Sequence, residues 1–379
     1  MKNRVFSVCA GLLLLAGSCW AETVTIENFE LPYNIQLNGE QMQPQHSVQF
    51  ITTNPYEGKQ CVEVSYKFAA LKGVQTVNLD TPTVLNAPVH KFSIAVRGDG
   101  SKHAVRVRFM DAKKETFQYN LGTLESTTWK VATADLDKPA NDSWGGDNNK
   151  KMDYPITYVG VVIDTMRQND VAIPAEGHAD FDAITVESDK SAAETLGTTG
   201  YPVMIQDFET VKGLPIGGNQ IQPESSAKVN TDQPLQGKQA AEVKYHFIAQ
   251  PNVQSINMSA PRLIKAPIHR LFVAVRGDNS KLPLWVGFTD ASGEAHQFLL
   301  GKVEFAGWHT LTVDLDKGQK AIWGGDQDKV MQYPITFQYI CVDTNRPNNV
   351  AQPGDGSLLF DNIVAISEKP AAETVNPAK

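Results

Sequence analysis

The chain of 379 residues lacks the features that mark several common functional classes. Only Cys61 and Cys341 follow the first 21 residues, so no disulfide scaffold is expected and both are predicted to be buried small hydrophobes. No Cys/His cluster has zinc or iron spacing, and no Gly-x-Ser-x-Gly, His-Glu-x-x-His or phosphate-binding motif occurs. After the N-terminal segment, no apolar run approaches the length of a membrane span, so no transmembrane segment is predicted.

A surplus of basic charge is also missing. The net charge is −8 at pH 7, from 34 Lys and Arg against 42 Asp and Glu, and the two signs are mixed along the chain. Proteins that bind nucleic acid or anionic membranes carry clustered positive charge, so we expect neither partner.

The first residues have the pattern of a secretory signal. Lys2 and Arg4 precede an apolar run over residues 5–16, and small residues continue to Ala21. This pattern predicts a signal peptide over residues 1–21 and a secreted, periplasmic or cell-envelope protein. Residues 15–19, Leu-Ala-Gly-Ser-Cys, also resemble a bacterial lipobox, which makes a lipid anchor at Cys19 the alternative to cleavage after Ala21.

One stretch occurs twice and organises the rest of the chain. Trp-Gly-Gly-Asp at residues 144–147 recurs at residues 323–326, and both copies continue into Tyr-Pro-Ile-Thr. The two copies are 179 residues apart. The same offset of 179 relates residues 24–190 to residues 203–369 without a gap, which marks a duplicated structural unit. We therefore predict a domain over residues 22–190, a linker over 191–202, a second domain over 203–369 and a flexible tail over 370–379. Each domain is expected to have its own core.

Within each unit the hydrophobic period is two. Val62, Val64, Tyr66 and Phe68 alternate with polar residues, and similar runs follow near residues 92–97, 105–110 and 117–121. Short alternating runs between Gly, Pro, Asn and Asp are typical of antiparallel strands with one solvated face, and no long amphipathic helix is evident. About eight strands per unit require two sheets packed face to face. The predicted fold class is all-β, with two tandem antiparallel β-sandwich (jelly-roll) domains.

The alternation also sorts side chains by face. It places Tyr158, Phe337 and Tyr339 outward, together with an Arg, Gln and Asp set that both copies retain. That set is Arg97, Gln118 and Asp164 in the first unit and Arg276, Gln297 and Asp343 in the second.

Aromatic residues complete this outward set. Trp144 and Trp323 stand in the repeated loop, and the second copy adds Trp285 and Tyr339 where the first has Arg106 and Gly160. Sugars are bound by such mixtures, because aromatic rings pack on C–H faces while charged and amide groups bond hydroxyls. The predicted ligand-binding residues are Arg97, Gln118, Trp144, Asp164, Arg276, Trp285, Gln297, Trp323, Tyr339 and Asp343. The second unit is expected to bind more strongly.

A purely structural interpretation of the same residues is the alternative. Arg97 and Asp164 would then form a cross-strand ion pair that stabilises the sheet modestly, and Trp144 would anchor its loop. Trp129 and Trp308, which precede an alternating strand, are assigned to packing.

Four short motifs resemble those of galactose-binding-like jelly rolls. They are Phe29-Glu30, Gly58-Lys59-Gln60, Trp129 with Asp135-Leu136, and Phe181-Asp182-Ala183-Ile184, and the second unit repeats them. Many non-catalytic carbohydrate-binding modules of secreted bacterial glycosidases have this form. The resemblance supports the fold more than the ligand.

The resemblance also implies a structural calcium where the first and last strands meet. The positions that match its ligands are Glu30 with Asp182, and Glu209 with Asp361. The alternative is that these carboxylates end strands and accept hydrogen bonds from nearby backbone amides.

The expected function is a secreted, non-catalytic protein that binds polysaccharide or glycan, with a possible envelope or enzyme partner. The alternative is a structural or adhesive cell-envelope protein whose sandwiches pack on other proteins. Glycoside hydrolysis would need two carboxylates facing each other across a cleft. Asp99, Asp111, Asp135, Asp137 and Asp164 recur in both copies, but most occupy turn positions, where Asp is favoured for backbone reasons. We therefore predict no enzymatic activity.

Overall fold

Both copies of the repeat fold as antiparallel β-sandwiches in the computed structural model, which describes residues 21–375 except 32, 198–199, 318 and 346–349. The all-β prediction is confirmed, since strands dominate and the described helices are two short turns. The predicted signal peptide and Cys19 lie outside the described residues. Over the part of the chain that is described, no helix combines the length and hydrophobicity needed to span a membrane.

The first unit holds strands β1 to β14 and a short helix. These are β1 (Glu22–Glu27), β2 (Gln36–Asn38), β3 (Ser47–Ile51), β4 (Cys61–Phe68), β5 (Thr76–Leu85), β6 (Val89–Arg97), β7 (Ala104–Met110), β8 (Glu115–Thr123), β9 (Lys130–Asp135), β10 (Asp142–Gly145), β11 (Ile156–Asp164), β12 (Arg167–Gln168), β13 (Val171–Ala172), β14 (Ala175–Ser188) and α1 (Ala192–Leu196).

The second unit repeats this order. Its elements are β15 (Tyr201–Gln206), β16 (Ile216–Gly217), β17 (Ser226–Asn230), β18 (Ala240–Phe247), β19 (Ser255–Ile264), β20 (Ile268–Asp278), β21 (Pro283–Thr289), β22 (Glu294–Lys302), β23 (Ala306–Asp314), β24 (Gln319–Gly324), β25 (Ile335–Asp343), β26 (Gly354–Ser367) and α2 (Ala371–Thr374).

Each unit packs a front sheet on a back sheet. In the first unit the front sheet has the order β10-β8-β7-β11-β5-β2, and the back sheet has the order β3-β4-β14-β6-β9 with β1 beside β14. In the second unit the front sheet is β24-β22-β21-β25-β19-β16, and the back sheet is β17-β18-β26-β20-β23 with β15 beside β26. Neighbouring strands pair antiparallel, as in a jelly roll.

The cores follow from the alternation in the sequence. In β4, the side chains of Val62, Val64, Tyr66 and Phe68 are at most 2% exposed, while the residues between them are partly or fully exposed. At the centre of the first unit, the rings of Phe92, Phe109 and Tyr158 lie 5.6–5.9 Å apart between the two sheets. Burial of each such ring contributes roughly 1.5–3 kcal/mol relative to exposure, so these contacts hold the sheets together.

A β-bulge in β11, repeated in β25, changes which residues face the core. The pairing skips Val159 between Tyr158 and Gly160, and it skips Gln338 between Phe337 and Tyr339. One extra residue reverses the alternation on either side of it. Tyr158 and Phe337 are consequently buried completely in their cores, and their predicted outward placement is wrong. Tyr339, beyond the bulge, does face outward.

The two units share a sheet edge. The front sheet of the first unit meets the back sheet of the second where Gln36 of β2 stands opposite His309 of β23. On one side of this bridge the Ile35 N–H donates to the Thr310 hydroxyl at 3.1 Å, and the Thr310 N–H donates to the Ile35 carbonyl at 3.0 Å.

Apolar packing continues across the same boundary. Leu235, Trp308 and Leu359 of the second unit belong to the hydrophobic cluster of the first. Each unit thus has its own hydrophobic cluster, as expected, but the first cluster is not independent, because residues of the second unit pack against it.

The segments predicted as a linker and a flexible tail contain the two short helices. Ser191 and Glu194 form a capping box at the start of α1, and the buried Thr195 hydroxyl bonds Ser188 at 3.1 Å. After β26, Thr374 makes the equivalent contact with Ser367 at 3.0 Å. Both helices pack on the sandwich that precedes them, so the repeat extends beyond its last strand.

The turn after the first strand of each unit is held by an acid in one copy and an amide in the other. Glu27 accepts a hydrogen bond from the Phe29 N–H at 2.7 Å, and Gln206 accepts the same bond from Phe208 at 3.1 Å. Phe29 and Phe208 adopt φ values of 56° and 58°, an unfavourable region that this bond supports. Burial raises the pKa of Glu27 to about 7, because its charged form loses hydration.

The variant Glu27→Gln, which copies Gln206, tests the cost of this buried acid. The pKa of Glu27 is higher in the folded state than its ordinary value of 4.5, so ionisation opposes folding progressively between about pH 4.5 and 7. We expect the free energy of unfolding to be unchanged near pH 4 and to increase by on the order of 1 kcal/mol at pH 8, a figure reduced for the partial exposure of the side chain. Chemical denaturation at both pH values measures this, and an equal effect at each would contradict it.

Candidate ligand-binding site

The outer face of the second unit's front sheet brings together five of the predicted ligand-binding residues. Trp285, Gln297, Trp323, Tyr339 and Asp343 line one cavity of about 360 Å³. Sequence reasoning missed other polar residues of this cavity, namely Asn219, Ser255 and Asn257. Asn257 recurs as Asn78 in the first unit, a signal that a search for repeated outward polar residues would have found.

The strand order explains why these residues meet. In β21, Leu284, Val286 and Phe288 point into the core, so Trp285 points outward. The neighbouring strands β22 and β25 place Gln297 and Tyr339 on the same face. Because adjacent strands lie about 4.8 Å apart, side chains from all three reach the same cavity.

The position of the Tyr339 ring depends on a glycine in the neighbouring strand β21. Tyr339 stands opposite Gly287, and a Cβ atom at residue 287 would lie 2.2 Å from Cζ of its ring. The ring therefore lies over Gly287, where any larger residue would displace it. Burial raises the pKa of Tyr339 to about 12, so its hydroxyl is neutral and able to donate a hydrogen bond.

Unsatisfied polar atoms and an exposed ring characterise the cavity. The Trp285 indole N–H and the Asn257 side-chain oxygen have no hydrogen-bond partner among the described residues. A shielded polar atom without a partner costs about 1–3 kcal/mol, which a ligand hydroxyl would offset. Trp323, on the edge strand β24, is 49% exposed and leaves an aromatic face open.

The equivalent face of the first unit is occupied by arginines. Arg106 forms an ion pair with Asp164 at 2.9 Å, and the Arg108 Nε donates to Gln118 at 2.9 Å. The Arg108 guanidinium also lies 5.4 Å from the ring centroid of Trp144. The predicted residues Gln118, Trp144 and Asp164 are thus together on the front face, but arginines of the same face contact all three.

Arg97 and Arg276 are not at this face. They lie in β6 and β20 of the back sheets, so the alternative Arg97–Asp164 ion pair is also wrong. The Arg97 Nε instead donates to Asp180 at 2.6 Å, and its guanidinium lies 4.8 Å from the ring of Trp129. Alternation indicates which side of a strand a residue occupies, but it does not indicate to which sheet the strand belongs.

Arg276 lines a different cavity, of about 670 Å³, at the boundary between the units. Leu359 replaces the aspartate that pairs with the first unit's arginine, and no described residue bonds the Arg276 guanidinium. Trp308 lines the same cavity and is only 7% exposed, in agreement with its assignment to packing.

The predicted calcium ligands accept hydrogen bonds from backbone N–H groups. Asp182 and Asp361 are buried completely, and one oxygen of each accepts two N–H bonds from the loop before the fourth strand of its unit. Glu30 and Glu209 each accept two more N–H bonds from that loop, at 2.7–3.2 Å.

These surroundings support two interpretations of the four acids. Burial, with Glu209 nearby, raises the pKa of Asp361 to about 8, a condition that a bound cation would relieve. The groups that contact these carboxylates, however, are backbone N–H hydrogen-bond donors, whereas a calcium ion would need further oxygen ligands. Calcium at Glu30 with Asp182 and at Glu209 with Asp361 therefore stays a prediction.

The recurring aspartates of the first unit mostly support turns or local pairs. Asp99 accepts hydrogen bonds from the Tyr66 hydroxyl and the Ser101 N–H, and Asp111 accepts from the Glu115 N–H. The structure places these acids away from the cavity of the second unit.

Comparison with known proteins finds structural similarity at low sequence identity, and neither a family model nor a curated protein matches the chain. The chain is similar to a family 11 carbohydrate-binding module of a Clostridium thermocellum cellulosomal cellulase, at 13% identity and a TM-score of 0.33, over 44% of this chain and 95% of that one. It is also similar to the N-terminal tandem of two family 22 modules from Paenibacillus barcinonensis, at 11% identity and a TM-score of 0.29, over 93% and 99% of the two chains.

A chelator tests the predicted calcium sites in the chain without residues 1–21. We expect EGTA to lower the melting temperature and added calcium alone to restore it by mass action. Glu209→Gln keeps an acceptor for the two backbone N–H groups but removes a charge, so the calcium response of the second unit should weaken, while Glu30→Gln should affect only the first. If EGTA leaves the wild-type melting curve unchanged, the four acids act only as backbone acceptors.

Proposed function

We propose that the protein is a secreted, non-catalytic carbohydrate-binding protein whose main site is the front face of the second unit. The observation that carries the proposal is the group of three aromatic residues, Trp285, Trp323 and Tyr339, around amide and carboxylate side chains in one cavity. An aromatic ring packs on the C–H face of a sugar, while amides and acids bond its hydroxyls.

The composition of the cavity favours a neutral glycan. Tyr339 is uncharged, and Asp343 is the single carboxylate among the described lining residues. The volume of the cavity, about 360 Å³, is at the lower end of the range of about 300–1,000 Å³ typical of ligand pockets. A cavity of this size suits a few sugar units of a longer chain. A single carboxylate also gives no facing acid pair for hydrolysis at this place.

The first unit is proposed to be the weaker binder. Its two arginines are already paired with Asp164 and Gln118, so a ligand would have to replace those bonds before gaining its own. In the second unit Trp285 and Gly287 stand in place of these arginines, and that substitution leaves both an aromatic surface and space for Tyr339.

Substitutions in the full mature chain test this assignment, with a glycan array to identify the ligand. We expect Trp285→Ala and Trp323→Ala each to weaken binding about fivefold, since stacking on one ring contributes about 1 kcal/mol. Trp144→Ala, the matched change in the first unit, should leave affinity unchanged. Isothermal titration with the best array ligand measures all three.

A double variant that copies the first unit provides the sharper control. Gly287→Arg with Tyr339→Gly reproduces the Arg108 and Gly160 pair, which the first unit accommodates in the same pair of strands. We expect this variant to fold with an unchanged circular dichroism spectrum and to lose most binding. Wild-type affinity in the double variant and in both tryptophan variants would rule out this face as the binding site.

A further inference from the structure

A buried cluster of ligating side chains lies under the loop that carries Trp323. The side chains of Asp290, Glu294 and His296 have no solvent exposure. One ligand atom of each lies within 4.8 Å of the others. Two carboxylates and an imidazole that are all shielded from solvent are unusual, because acidic side chains are rarely buried unless they are paired.

The hydrogen bonds of this cluster are incomplete. Both ring nitrogens of His296 and one oxygen of Glu294 have no partner among the described residues. The other Glu294 oxygen accepts from the Lys329 N–H at 3.2 Å, and Asp290 accepts from the Gln332 N–H at 3.2 Å. Each of these two oxygens retains a second lone pair. Buried polar atoms in native proteins are nearly always paired, so the cluster lacks a component.

The distances from His296 to the two carboxylates match those between ligands of a bound metal ion. His296 Nε2 lies 3.3 Å from Glu294 Oε2 and 3.5 Å from Asp290 Oδ2, yet neither contact has hydrogen-bond geometry. Tetrahedral ligands about 2.0–2.2 Å from a zinc ion are about 3.3–3.6 Å apart. The two distances from the imidazole therefore suit an ion shared with each carboxylate, and the three ligand atoms all lie within 4.8 Å of one another.

We propose that Asp290, Glu294 and His296 bind one divalent transition-metal ion of the zinc class. A nitrogen ligand with two carboxylates suits zinc and its neighbours, whereas calcium and magnesium prefer oxygen alone. The ion would neutralise the two enclosed acids and supply a partner for the imidazole. This site is separate from the predicted calcium positions and does not depend on the proposed glycan.

The first unit provides an internal comparison. It has Asp111 and Glu115 at the matching positions, but Phe117 in place of His296. In both units the glutamate N–H donates to the aspartate at 2.8 Å, so the two acids support the same turn with or without the histidine. The histidine is the addition that completes a three-ligand set in the second unit.

The metal would stabilise the base of the aromatic loop. Gly325 packs against the Glu294 backbone so closely that a Cβ atom would lie 2.5 Å from the Glu294 nitrogen. Residue 295, the next along β22, pairs with Trp323. An ion held by Glu294 would thus fix the strand ends from which Trp323 projects.

Zinc titration of the chelator-treated mature protein tests the proposal. We expect one molar equivalent of zinc by calorimetry, and a tetrahedral absorption spectrum when cobalt is substituted. His296→Phe, which copies Phe117, should lose this equivalent or bind it more than tenfold more weakly. Glu294→Gln, which keeps size and a backbone acceptor, should do the same and serves if the first variant does not fold.

A surface histidine supplies the matched control. His269 lies beside Asp316 at 3.1 Å and is 40% exposed, so it is the kind of site that binds zinc loosely. His269→Phe should leave the tight equivalent in place. The proposal is overturned if the wild type binds no zinc, if calcium alone fills the site equally well, or if the buried variants bind zinc as the wild type does.

Discussion

The space above Gly287 holds one large side chain, and Tyr339 occupies it, since a Cβ atom at residue 287 would lie 2.2 Å from Cζ of that ring. In the first unit the paired residues are Arg108 and Gly160, so the large side chain stands on the other strand of the pair. The duplicated scaffold therefore carries two versions of its face. One carries arginines that pair with neighbouring acids and amides, and the other carries aromatic rings beside an open cavity. The scaffold is kept, and the difference between the units lies in side chains that the core does not constrain.

Most of the fold was predictable from the sequence, because period-two alternation and a gapless repeat are direct consequences of two sheets packing around a core. The errors have local causes. The extra residue at Val159 and again at Gln338 reverses the facing of Tyr158 and Phe337, and nothing in a hydrophobic pattern marks the position of a bulge. The contact between β2 and β23 depends on edges that meet only in three dimensions, so the packing between the units was not predicted.

The grouping of residues in the candidate cavity was predicted in part for similar reasons. Trp285, Gln297, Trp323, Tyr339 and Asp343 lie together because their strands belong to one sheet. Arg97 and Arg276 were assigned to the same face although their strands belong to the other sheet. His296 was overlooked because its neighbours in the buried cluster are acids rather than cysteines or histidines, and because Phe117 stands at its position in the first copy.

The bridge between β2 and β23 affects how the two units would bind one polymer chain. Ile35 and Thr310 exchange hydrogen bonds and Trp308 packs against the first core, so direct contacts between the two units fix their spacing. Effective concentration for tethered modules is set by linker length, but here it would be set by the spacing and stiffness of the bound polymer. A chain whose repeat matches the fixed geometry would engage both modules with little further entropic cost, and a mismatched chain would engage one alone.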